Sequence, residues 1–207
     1  HRAVVIVSVV FTAFCAVGLF SIEPAFDVER TMGRKVPYVD RFLDLCQTEL
    51  GSMYSYDVMI VLPKAGDAKL PSNLEKLDKL SRIAQTYKLT KRHNSILDII
   101  KDMNCTLNAN KDSAYTIPHD PNMVAQLLLL YENAGGTEAE YWMDYDYKRL
   151  RLQIELNSYN SNEAEKEMQL IEQEAQKLFP DAHVSAVGNI PQFTAMQQYV
   201  ERGQMWS

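Results

Sequence analysis

From Ala3 to Ile22 the chain runs for twenty residues without a charged side chain, and twelve of those positions are Val, Ile, Leu or Phe. Wound as a helix, such a run is roughly 30 Å long, the thickness of a bilayer's hydrocarbon core. Placing those apolar side chains in lipid favours insertion by roughly 4–7 kcal/mol, with Ser8, Thr12, Gly18 and Ser21 counting against it. The Val content is a poor helix signal in water. In lipid it matters little, because each backbone group must find its partner inside the helix. A signal peptide has a shorter apolar region, about 7–15 residues, and small residues at its cleavage site. Phe14 before Cys15 also spoils a lipoprotein-type site. A buried core helix is the remaining alternative. The run predicts a transmembrane helix within residues 1–23, with membrane lipid around 3–22. Arg2 before it and Glu23, Asp27 and Glu29 after it point to a cytoplasmic start, an inference that Arg30, Arg34 and Lys35 weaken.

Beyond the run, residues 24–52 read as a linker and an amphipathic helix, and 53–207 as one α+β domain. Pro24 ends the first helix. Val39, Phe42, Leu43 and Cys46 recur at helical spacing within Val36 to Leu50, and Gly51 stops that helix. Residues 54–62 alternate as a strand, with Tyr54, Tyr56, Val58, Ile60 and Leu62 on one face. Ser72 and Glu75 fit a capping box for a helix with Leu74, Leu77, Leu80, Ile83, Ala84 and Tyr87 as its buried stripe. A short strand over 88–93 follows. Ser95 caps a helix carrying Ile96, Ile99, Ile100 and Met103; 104–119 reads mostly as loop, and 121–133 as a Leu-rich helix closed by Gly135 and Gly136. The strand over 148–156 is the clearest, with Leu150, Leu152, Ile154 and Leu156 alternating with Arg149, Arg151, Gln153 and Glu155. A helix along Ala164, Met168, Ile171, Ala175 and Leu178, a strand over 183–187 and an amphipathic helix from Pro191 complete the chain. Two strand–helix–strand halves separated by a helical insert predict a ferredoxin-like, split βαβ layout.

Chemistry-bearing patterns are sparse. A formal net charge of −6 leaves no basic stripe for phosphates, which argues against a nucleic-acid partner. His1, His93, His119 and His183 stand apart from one another and from the cysteines, so no helical zinc pair forms. There is no nucleophile elbow and no Gly-rich phosphate loop. Asp144 and Asp146 form the one carboxylate pair of interest, and such a pair at a strand mouth reads as a solvated turn. The sequence therefore predicts no enzyme, no cofactor and no metal. Cys15 lies in the apolar run. An oxidising compartment would permit a Cys46–Cys105 bridge, though no spacing motif calls for one. The aromatic cluster Tyr141, Trp142, Tyr145 and Tyr147 has two readings: packing at a strand start, or an apolar surface that meets a neighbouring subdomain or a greasy ligand.

Several segments together resemble one family. They are Ser95 to Asn104, with Asp98, Lys101 and Met103 inside it; Tyr115 to Pro118; Gln126 to Gly136; Asp144 to Arg151; and the closing Gly203 to Ser207. In that order they resemble the resistance-nodulation-division exporters, in the MMPL-like, hydrophobe/amphiphile-efflux branch. The resemblance implies a porter-type extracytoplasmic loop, more like the second half of such a protein than the first. It also implies a parent chain with further membrane helices and a second porter subdomain as partners. The cargo would be a hydrophobic small molecule or lipid, and the driving carboxylates would lie in later helices. Ser95, Asp98, Lys101, Asn104, Pro118, Gly135, Gly136, Gly203 and Gln204 are motif residues expected to act as architecture. Tyr141, Trp142, Tyr145 and Tyr147 are the candidates for a substrate path. Placement in the inner membrane, with the domain on its periplasmic side, follows from the same resemblance. The competing expectation is an anchored extracytoplasmic binding or sensing module.

Overall fold

The computed structural model describes residues 2–19, 33–49, 51–52 and 54–205. Helix α1 covers Arg2–Leu19 and α2 covers Pro37–Gln47. The αβ body follows as β1 (Tyr54–Val61), α3 (Pro71–Gln85), β2 (Thr90–Ser95), α4 (Ile96–Leu107), α5 (Pro121–Asn133), α6 (Ala139–Trp142), β3 (Arg149–Leu156), α7 (Ser161–Leu178), β4 (His183–Val187) and α8 (Asn189–Met205).

The membrane-spanning expectation is corrected here. Among the described residues no helix is long and apolar enough to cross a membrane. Helix α1 has eighteen residues and includes Arg2. At about 1.5 Å per residue it reaches roughly 27 Å, short of the roughly 30 Å expected of the run. Positions 20–22, which completed that run, lie outside the described residues, as does most of the 24–35 link. The expected lipid contact around 3–22 loses its basis with the span.

The sheet is antiparallel throughout, in the order β2-β3-β1-β4. Each strand pair linked through a helix thus has another strand between its members, which is the split βαβ arrangement. Register explains how one face became the core. Tyr56, Val58 and Ile60 stand opposite Ile154, Leu152 and Leu150, and all six side chains are buried. Leu74, Leu77, Leu80 and Ala84 of α3 cover them together with Ala164, Met168, Ile171 and Ala175 of α7. A fully buried Leu or Ile contributes about 1.5–3 kcal/mol, so this double layer carries the domain. The other face is polar: Arg151 pairs with Asp57 at 2.8 Å, and Arg92 with Glu155 at 2.7 Å.

The free sheet edges are blunted. Lys91 leaves the β2 ladder at a bulge and donates to the carbonyls of Cys46, in the last turn of α2, and of Thr48 and Gly51, just beyond it. On β4 the Ala186 amide donates to the Glu172 carboxylate. The bulge breaks the regularity of the β2 edge and the carboxylate occupies an amide of β4, so each edge offers less to another strand.

Two local expectations are revised. Helix α3 begins at Pro71 with Leu70 as N-cap and no side-chain cap, so Ser72 and Glu75 form no box. Proline at the first helical position supplies the fixed φ that starts the helix there. The 104–119 stretch is less loop-like than expected, since α4 runs to Leu107 and a 3-10 turn covers Asp112–Ala114. Cys46 is buried, Cys105 is half-buried, and both are free thiols.

Candidate functional site

Between α5 and β3 the chain reverses twice, and a cavity of about 560 Å³ opens between the reversals. The first reversal is the glycine pair. Gly135 has φ +90°, a left-handed conformation that strains any L side chain. Gly136 has no room for one, since a Cβ there would stand 2.3 Å from the Tyr131 ring. The Gly135 amide donates to Glu132 O and that of Gly136 to Tyr131 O, each at 3.0 Å, closing the last turn of α5.

The second reversal is held by Asp144. Its Oδ1 accepts from the Lys148 amide at 2.7 Å and the Arg149 amide at 2.8 Å. The Tyr147 amide donates to Asp144 O at 2.9 Å, and Tyr147 itself has φ +50°. That unusual backbone is held by long-range bonds to the loop after β1: the Gly66 amide donates to Asp146 O at 3.0 Å, and the Ala68 amide to Tyr147 O at 2.9 Å. Non-glycine residues at such angles persist where the surroundings over-determine them, and they cluster at ligand clamps.

The lining divides by chemistry. Leu128, Ala139 and Met143 are its buried apolar part. Tyr145 and Tyr147 supply rings; Glu132, Glu140 and Asp144 supply carboxylates. The Tyr147 hydroxyl donates to Glu132 Oε1 at 3.0 Å, and Lys69 lies 3.9 Å over its ring. Burial pushes the Tyr147 phenol above its ordinary value, and the bond to Glu132 adds to the shift. No basic side chain lines the cavity; Arg149 approaches Asp144 from outside at 3.8 Å.

The four aromatic candidates separate. Trp142 and Tyr147 pack against the core, whereas Tyr141 is 65% exposed and Tyr145 96% exposed. Only Tyr145 and Tyr147 line the cavity; Trp142 instead faces the Arg151 guanidinium at 5.8 Å, and the same arginine donates to Tyr141 O. Asp144 and Asp146 do not form a working pair, because Asp144 is committed to the turn amides.

The motif residues are placed as follows. Ser95 caps α4 and Asp98 closes the capping box by accepting from the Ser95 amide. Lys101 pairs with Asp78 on α3, so it ties α4 to α3. Asn104 donates to Ala114 O at 2.9 Å and Thr116 O at 3.0 Å, clamping the segment that leads to the half-buried Pro118. Gly135 and Gly136 wall the cavity. Gly203 and Gln204 lie on α8, far along the chain from it. Residues of the cavity that the sequence did not single out are Leu128, Glu132, Thr137, Ala139, Glu140 and Met143. Leu128 and Glu132 lie within the Gln126 to Gly136 segment, and the other four follow the glycine pair without a mark of their own.

No family model, curated protein or solved structure matches the chain closely enough to show a relationship. Among the described residues no cluster of His, Cys, Asp and Glu is arranged to hold a metal ion.

Proposed function

We propose that this chain is the extracytoplasmic, porter-type region of a proton-driven exporter of hydrophobic or amphiphilic molecules. The observation that carries the proposal is the cavity. Two segments that enter the family resemblance separately both line it: Gln126 to Gly136 supplies the buried Leu128, Asp144 to Arg151 supplies the two tyrosines, and the buried Ala139 and Met143 come from the stretch between them. A concave apolar site with a few placed polar groups is the usual form of a small-molecule site. The split βαβ sheet order agrees with the porter-type layout that the resemblance implies. The partners are the membrane helices that the resemblance implies elsewhere in the parent chain, and its second porter subdomain. The cargo is a lipid-like or drug-like molecule that this cavity contacts on its way out, and energy coupling belongs to carboxylates outside this chain.

Inverted membrane vesicles carrying the full-length parent protein test the reading. A lipophilic dye should accumulate when a proton gradient is imposed and stop when a protonophore collapses it. Dye that binds but does not move with the gradient would instead favour a binding or sensing module.

A further inference from the structure

The charge of the cavity goes one step beyond its apolar character. Its lining holds three carboxylates and no basic side chain. Asp144 is partly offset by Arg149, and Glu132 is held by the Tyr147 hydroxyl. Glu140, on the short helix α6, is exposed to solvent and makes no ion pair among the described residues. The two rings add a second, independent preference. An aromatic face attracts a cation within about 6 Å of its centre, and the protein already uses this on Tyr147, where Lys69 sits 3.9 Å from the ring centroid. Tyr145 is almost fully exposed at the same cavity.

We infer that the cavity between the glycine pair and the Asp144–Tyr147 turn selects organic cations: a protonated or quaternary amine, or an onium ion, attached to an apolar body. The apolar body lies against Leu128, Ala139 and Met143. The positive centre faces Glu140 and Glu132, with the Tyr145 ring as its free aromatic contact. An anionic amphiphile of the same shape meets three carboxylates, while the nearby cations are already engaged, Arg149 with Asp144 and Lys69 with the Tyr147 ring. This inference rests on the cavity being the ligand site proposed above.

The test uses the full chain and three probes: tetraphenylphosphonium, its anionic counterpart of like shape tetraphenylborate, and the uncharged dye Nile red. The phosphonium should bind at least about tenfold more tightly than the borate. The double variant Glu132→Gln/Glu140→Gln should shrink that preference about fivefold, with an unchanged melting temperature. Raising the salt concentration should weaken the phosphonium alone. Equal binding of the two ions, or a preference unmoved in the double variant, overturns the charge selection while leaving an apolar ligand site intact. Failure of all three probes, Nile red included, overturns both the charge selection and the cavity as a ligand site.

Discussion

His93 stands on the core face of β2, opposite Ile154, with its Nδ1 buried and without a hydrogen-bond partner. Burial pushes its pKa below the ordinary histidine value; Asp98 and Asp78 pull it up, and Lys101 pushes it down. A histidine whose folded pKa is depressed favours the folded state as the neutral ring. Its contribution is fully present above the unfolded value, about 6.5, and is lost as pH falls through the folded one. Urea midpoints should therefore fall between pH 7 and pH 5, and His93→Gln should make that fall shallower. Parallel pH profiles for the two proteins would contradict this. Gly135 is the other residue with a sharp expectation. Its φ of +90° costs an L side chain about 1–2 kcal/mol, so Gly135→Ala should lower the unfolding free energy by that amount with an unchanged m-value.

At the scale of elements, legibility depended on whether the signal was local. The alternation of Leu150, Leu152, Ile154 and Leu156 could be read directly, because period two has one physical meaning when one face is buried. The cap at Ser95 was equally local, and its partner Asp98 lies within the same turn. The box expected at Ser72 failed because Pro71 set the helix start two residues earlier, leaving Ser72 inside the first turn. Asn104 acts beyond its own helix, where no periodicity reports it: two backbone carbonyls of the 112–116 segment depend on its amide. Asn104→Ala should cost about 1–2 kcal/mol. Hydrogen exchange should speed up from residue 112 to 117 and stay unchanged in β1 and β3. Uniform acceleration across the sheet would show that Asn104 is not a local clamp.

For the whole molecule, the sheet order followed from the sequence of elements, because crossover rules leave few ways to arrange two βαβ halves. The described part of the apolar run, residues 2–19, does not meet what the composition of the whole run suggested. A count of apolar positions gave a span, whereas the described helix ends at Leu19 and no described helix meets the length and hydropathy of a crossing. Its side chains at Val4, Val5, Ile6, Val7, Val10, Phe11 and Phe14 are between 61% and 77% exposed. The cavity could not be read from sequence for another reason. Its walls are separated by residues 137–143, which include the short helix α6, and the second wall is held by the loop after β1, which binds the backbone of Asp146 and Tyr147.

That cavity is the centre of the account, and Thr137 offers a way to fill it. Thr137 lines the cavity yet is exposed to solvent, so a large side chain there blocks the space without disturbing the core. The decisive measurement is gradient-driven export of a lipophilic cation by vesicles carrying the full-length parent protein, wild type against Thr137→Trp. The account predicts that export falls by about tenfold or more in the variant while protein level and melting temperature are unchanged. Export at the wild-type rate with the cavity filled would contradict it.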